Sequence, residues 1–334
     1  MKFSEKVNLT KLVLPINYNK EIEIIPTNSE NSKNYRNKSV QDIEQPISLD
    51  SLEVLSLKHI EIIKYLQGLN PKTPIISIVI KNNYKNEYQL TFLVPEDKIN
   101  FLENLIQELK EKLKINVVSG YYQIKYPNKP KPLKLDKYYH FYGENKLLEK
   151  MDENIIELSP NSFCRINYEI SKHLYNRVFQ IIINIKKDKN LICFGRDINF
   201  PIEYYNLHFN EIFGITHCPL VYGDCKPKKN LILKLSKKEE YPKKIKAYLE
   251  REQNQKYIIL VTAGRNGLDK KLWEYLTIHP QVSDIIYIAC GRKSLGKNIE
   301  ENKTMIVKHV IVMDEFPNTE SSNSIVYFSK FSKN

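Results

Sequence analysis

Two patterns of apolar spacing divide this chain. From Ser51 to Leu66 the residues Leu52, Leu55, Leu57, Ile60, Ile63 and Leu66 recur at helical intervals, and Leu102, Leu105, Ile106, Leu109 and Leu113 form a second helical stripe. Between these helices Ile75 to Ile80 and Tyr88 to Val94 read as strands joined by a polar loop, and Ile115 to Val118 and Tyr121 to Lys125 read as two more. Residues 1–150 are therefore expected to form an α+β domain on an antiparallel sheet. Beyond residue 150 the period changes. A helix from Tyr168 to Ile183 leads to strands at Leu191 to Phe194 and near Ile212 to Ile215, a helix around Lys243 to Glu250 and a strand at Ile258 to Val261. A helix from Leu268 to Leu276, a strand beginning at Ile285, a helix from Ser294 and strands at Met305 to Met313 and Ser324 to Phe328 complete the pattern. Strands alternating with helices predict a mostly parallel sheet over residues 151–334, and the closing pair of strands predicts an antiparallel edge.

The buried-strand pattern Ile285, Ile286, Tyr287, Ile288, Ala289 delivers Cys290 to a strand's carboxyl end, just before Gly291 and a helix start. Open α/β sheets keep their chemistry at that end. A thiol there can attack an electrophilic carbon, with Arg292 and Lys293 beside it to favour the thiolate. An isolated cysteine behind a strand also serves as a small buried hydrophobe, and the residues alone leave both readings open.

Charge narrows the partners. Lys+Arg 51 against Asp+Glu 39 leaves +12, which favours a polyanion such as RNA. Part of the excess also fits the Lys, Asn and Ile bias of an AT-rich coding sequence. The tetrapeptide Tyr35, Arg36, Asn37, Lys38 is either a solvated surface or a contact site. Residues 126–142, with three prolines and four lysines among tyrosines, suit single-stranded RNA or a stiff connector equally. The five cysteines are scattered without a C-x-x-C pair, which argues against a disulfide framework, a zinc ribbon and an iron–sulfur cluster. A reducing compartment, cytoplasm or nucleus, is expected. No apolar run approaches a membrane span, and no secretory signal is visible at the amino terminus.

Five motifs in order carry a family resemblance. Ser162 to Asn167 is similar to the Ser-Phe-Phe-Gln-Val-Asn motif of the RNA uracil-C5 methyltransferases. Arg265, Asn266, Gly267, Leu268, Asp269 resembles the tail of that family's Asp-Pro-Pro-Arg-Ser-Gly-Leu-Asp loop, and Ile286 to Cys290 resembles the strand ending in its nucleophilic cysteine. Asp314 to Thr319 resembles Asp-Gln-Phe-Pro-Tyr-Thr, and Tyr35 to Lys38 a motif of the family's RNA-contacting part. The resemblance runs from about residue 10 to the end. It implies a Rossmann-like class I methyltransferase domain with a mostly parallel sheet, preceded by an α+β RNA-contacting domain. It also implies S-adenosylmethionine as cofactor without a metal, tRNA or rRNA as partner, and RNA contacts at Arg36, Asn37 and Lys38.

On this resemblance Cys290 is the nucleophile that adds to uracil C6, and Asn323 stands where a general-base glutamate is expected. Phe194, Asn199, Arg165, Thr216 and Thr262 fall at the cofactor positions. Several residues depart from the pattern. Arg196 and Ile198 replace the two glycines of the cofactor loop, and their side chains are expected to occupy the space of the ligand. Arg165 replaces a glutamine, Thr216 and Thr262 replace acidic residues, and Asn323 cannot take up a proton. Two functions follow: a divergent methyltransferase acting on tRNA or rRNA, or a catalytically inactive RNA-binding pseudoenzyme that partners another methyltransferase or another protein.

Overall fold

The computed structural model describes residues 23–25, 41–42, 57–69, 74–95, 99–124, 137–160, 162–163, 168–195, 197–252, 254–264, 266–314 and 322–330. The chain divides into two compact units, one of residues 33–164 and one of residues 1–32 with 165–334. The sequence expectation set the boundary at 150. The amino-terminal strand β1 (Glu23–Ile25) pairs in parallel with a strand near the carboxyl terminus, and so belongs to the second unit.

The 33–164 unit holds β2 (Gln41–Asp42), α1 (Leu57–Gln67), β3 (Ser77–Asn82), β4 (Glu87–Val94), α2 (Ile99–Leu113), β5 (Asn116–Ile124) and β6 (Tyr139–Gly143). Its sheet runs β2-β3-β4-β5-β6. The expectation of a wholly antiparallel sheet is corrected at one pair: β4 and β5 are parallel, because α2 serves as the crossover between them. The two short strands expected from Ile115 to Lys125 are one. Ser119 and Gly120, which read as a break, stay in the ladder opposite Gly143 and Tyr142. Gly120 is required there, since a Cβ would meet Tyr142 Cβ at 2.8 Å and Ile106 Cδ1 at 2.9 Å. The buried stripe of α2, Leu102, Ile106 and Leu109, packs with Leu90, Phe92 and Tyr122 into one core.

A hairpin of β7 (Leu147–Met151) and β8 (Asn154–Leu158) is fastened to the β3–β4 turn by polar groups. Asn83 Nδ2 donates to Leu148 O at 2.8 Å, and Glu149 Oε1 accepts from Tyr84 N at 3.1 Å and Lys150 N at 3.0 Å.

The second unit continues with α3 (Tyr168–Ile185), β9 (Lys189–Phe194), α4 (Asn199–Tyr205), β10 (Ile212–Thr216), α5 (Pro219–Asp224), β11 (Leu231–Leu235) and α6 (Tyr241–Leu249). It closes with β12 (Lys256–Ala263), α7 (Lys270–Ile278), β13 (Val282–Ala289), α8 (Arg292–Glu300), β14 (Met305–Met313) and β15 (Asn323–Lys330). The sheet order is β1-β14-β15-β13-β12-β9-β10-β11, parallel throughout except for β15 among the described strands. This is the expected mostly parallel, Rossmann-like sheet, but the antiparallel strand is not at its edge: β15 lies between β14 and β13, and β1 covers the outer side of β14 in parallel. At the amino ends of the strands, buried Asp284 accepts from Lys189 Nζ at 2.7 Å, Tyr327 OH at 2.7 Å and Ser283 Oγ at 2.6 Å, tying β9, β13 and β15 together. Burial pushes the Asp284 carboxyl up, but these donors outweigh it and hold it below the usual range.

Glu149 shows the opposite balance. Burial outweighs its two backbone donors and pushes the carboxyl up to about 7 from 4.5. The folded state thus holds a proton that the unfolded chain releases, so stability falls as pH rises from about 4.5 to about 7 and is level above that. Glu149→Gln keeps the acceptor oxygen and removes the charge. Urea unfolding of this variant should match the parent at pH 4 and exceed it at pH 8 by up to roughly 3 kcal/mol, with the parent's slope between those values flattened.

Candidate active site

From β9 the chain steps outward to β10 and β11 and then returns to the other side of β9 to form β12. Where that direction reverses, a crevice opens at the strands' carboxyl ends. The ladder pairs Ile215, Phe194, Val261 and Tyr287 in one row across β10, β9, β12 and β13. One step further the row reads Thr216, Gly195, Thr262 and Ile288, so the two cofactor positions Thr216 and Thr262 flank Gly195 at the crevice. Gly195 has φ +153°, and a Cβ there would sit 3.0 Å from Thr262 O and 3.1 Å from Thr262 Cβ. Only glycine allows the β9 loop to pass so close to β12.

Within that loop Arg196 lies outside the described residues. Asp197 is fully buried, and its carboxylate accepts from Tyr175 OH at 2.9 Å. Phe200 stacks on the same tyrosine, ring centres 5.4 Å apart. Ile198 corrects an expectation. Its side chain is buried on the β10 side, where a Cβ on Gly214 would lie 3.8 Å from Ile198 Cδ1 and 3.0 Å from Ile202 Cδ1. Asn199 opens α4 with no exposed surface, and neither amide atom has a hydrogen-bond partner among the described residues. Phe194 is a core residue, edge-on to Tyr241 at 6.0 Å. Burial, with Cys225 and Asp197 adding to it, pushes the Cys193 thiol far up, which leaves it inert.

At the end of β10, buried Thr216 accepts from Cys218 N through Oγ1 at 3.2 Å. Beside it a cavity of about 550 Å³ lies over the ends of β10 and β11, lined by His217, Pro219, Leu235, Ser236, Lys237 and Glu240 among others. His217 Nδ1 meets Tyr241 OH at 3.2 Å on its wall.

The β12–α7 loop explains the Gly-Leu-Asp motif in structural terms. Gly267 has φ +70°, and a Cβ would strike Asn298 Oδ1 at 2.7 Å and Ser294 Cβ at 3.0 Å on α8. Asn298 Oδ1 accepts from Leu268 N at 3.0 Å and Tyr287 OH at 2.8 Å, while its Nδ2 donates to Leu268 O at 3.3 Å. Asp269 then caps α7, accepting from Lys271 N at 3.0 Å and Leu272 N at 3.3 Å. Asn298 was missed by sequence reasoning, since one amide on an otherwise ordinary helix gives no pattern to read.

Cys290 is a half-buried thiol just past β13, and α8 opens at Arg292 behind its amino cap Gly291, two residues before the expected helix start at Ser294. The last β13–β15 pair is Ala289 with Ser324, and these strands are antiparallel. The next positions along each, Cys290 and Asn323, therefore stand side by side. Asn323 has no exposed surface, and among the described residues neither its amide atoms nor buried Ser322 Oγ has a hydrogen-bond partner. Arg36, Asn37, Lys38, Arg165, Arg265 and residues 315–321 lie outside the described residues.

Residues 233–331, from within β11 to the end of β15, match the family model described as tRNA (Uracil-5-)-methyltransferase. This segment contains Thr262, Gly267, Cys290 and Asn323. The fold is similar to that of the Pyrococcus abyssi tRNA (uracil-54, C5)-methyltransferase in complex with S-adenosyl-L-homocysteine, with a TM-score of 0.69, 14% identity, and coverage of 97% of this chain and 82% of that one. Pyrococcus abyssi Trm5b gives a TM-score of 0.47 at 13% identity, covering 86% of this chain and 81% of that one. At such identities the likeness is one of fold. No curated protein sequence matches the chain.

Asn298 offers a direct check on this geometry. Asn298→Ala leaves Tyr287 OH and Leu268 N buried without their partner, and urea unfolding should show a loss on the order of 3 kcal/mol. Tyr287→Phe removes one donor only and should cost less, and the double variant should lose less than the two effects added.

Proposed function

We propose that this chain is an RNA uracil-C5 methyltransferase-like protein that engages a uridine of tRNA or rRNA through Cys290. The observation that carries this reading is the half-buried Cys290 thiol at the carboxyl end of β13, one step beyond the Ala289–Ser324 pair and so beside Asn323, inside the segment that matches the family model. The crevice is compatible with S-adenosylmethionine. Asn199 presents an amide with no partner among the described residues, Ile198 is turned into the core, and the cavity beside Thr216 has room for an adenosine-sized group. Asn199, Thr216 and Thr262 would hold it, with Phe194 supporting the loop from beneath; Arg165 is assigned to the same role by the resemblance alone. Bound there, the cofactor supplies an electrophilic methyl group.

Uracil C5 is a weak nucleophile until C6 is attacked. Addition of the Cys290 thiolate to C6 forms the S–C6 bond and moves the C5–C6 π electrons toward C5 and O4, which makes C5 enolate-like. The base must be extruded from its stack for the thiol to reach it. Once C5 carries a methyl group, release requires a base to take the C5 proton while the S–C6 bond breaks and the double bond returns to the ring. Asn323 cannot take it, because an amide oxygen is not basic. The reading is thus of a protein that captures uridine and releases it slowly. The same asparagine favours a second reading, a pseudoenzyme that binds RNA without reacting, alone or with another methyltransferase. RNA contacts are assigned to Arg36, Asn37 and Lys38, and a reducing compartment, cytoplasm or nucleus, suits the thiol. No helix among the described residues is long and apolar enough to cross a membrane.

Denaturing gels of the protein with labelled tRNA test this. The parent should give a slow-migrating band only with S-adenosylmethionine, Cys290→Ala should give none, and Asn323→Glu should release 5-methyluridine instead. Absence of both adduct and product from the parent and Asn323→Glu, with tRNA still bound, would establish the second reading.

A further inference from the structure

The net charge of the chain is concentrated in one place. Residues 226–246 hold nine lysines, two glutamates and no arginine, a net +7 of the total +12. In the fold β11 is the outermost described strand on this side of the eight-stranded sheet, flanked by the turn before it and the 3-10 turn Lys238–Glu240, and α6 then runs from that edge back over one face of the sheet, where Tyr248 packs on Phe213 and Tyr257. Lys226, Lys229, Lys234, Lys237, Lys238, Lys243 and Lys244 are all exposed. Lys228 is held by Glu203 at 2.9 Å and Lys246 lies 3.7 Å from Glu250.

A lysine on an edge strand also guards against pairing with another sheet, and Lys234 alone would do that. It does not account for charges in the turns at both ends of β11 and along α6, over a strand about 17 Å long. Nor does the composition suit a protein partner, because protein interfaces are depleted in lysine and enriched in arginine and aromatic anchors. Strongly hydrated point charges spread along a line suit the exchange of counterions from a phosphate chain.

We propose that the β11 edge is a sequence-independent docking surface for the phosphate backbone of RNA. This does not depend on the chemistry assigned to Cys290, and a protein without a working thiol would keep it.

The test uses the full chain and a labelled single-stranded RNA, with anisotropy measured across a series of KCl concentrations. Lys229→Gln/Lys234→Gln/Lys243→Gln should weaken binding and lower the slope of log affinity against log salt by about 2. Lys187→Gln/Lys271→Gln/Lys303→Gln, which removes equal charge from exposed positions elsewhere, should leave the slope close to the parent's. Thermal unfolding of both triple variants confirms that each is folded. Equal slopes for the two triple variants would overturn the proposal. So would displacement of the RNA by polyglutamate at comparable charge concentration, which would mark the edge as a site for acidic protein.

Discussion

The contact on which the rest of the second unit depends is the passage of Gly195 against Thr262. Two parallel strands that are distant in sequence must lie side by side at the switch point, and the loop leaving β9 has room for no side chain where it crosses the end of β12. From that contact the row of strand ends follows: Thr216 on one side, Thr262 across, and β13 beyond, carrying Cys290 two residues past Ile288. A hydrogen-bonded ladder transmits position rigidly, so the relative placement of these ends is fixed by register rather than by the loops.

Much of this was legible in the chain. The alternation of apolar strands with amphipathic helices after residue 150 needs buried parallel strands to satisfy it, and Ile285 to Ala289 could end only at Cys290. The parts that were not legible have local causes. β11 is a short Leu-Ile-Leu-Lys-Leu run between lysine-rich turns and went unassigned, since an outer strand with no buried residue carries no alternating pattern. Parallel pairing of β4 with β5 is decided by the packing of α2, which the strands do not encode. Ile198 looked like an obstruction because the direction of its side chain, which is buried toward β10, is set by the turn that opens α4 and not by its residue type. Asn298 acts across a gap of 30 residues, with no periodicity to betray it.

At the site the residues split into two kinds. Gly195, Gly267, Asp269 and Asn298 are accounted for by backbone and capping geometry, and they would be retained by a protein that had lost all chemistry. Asn199, Ser322 and Asn323 are different. Each is almost wholly buried with polar side-chain atoms that find no partner among the described residues, which carries a desolvation cost that folding alone does not recover. Their positions at the ends of β9 and β15 place that cost where a ligand could offset it.

The most direct test of this account is calorimetric titration of S-adenosylmethionine into the full chain and into Asn199→Leu. Leucine removes an unpartnered buried amide at similar size, so the variant should unfold no earlier than the parent. The account predicts binding of one cofactor per chain in the parent and at least tenfold weaker binding in Asn199→Leu. Absence of binding by the parent, or equal binding by the two proteins, would contradict it.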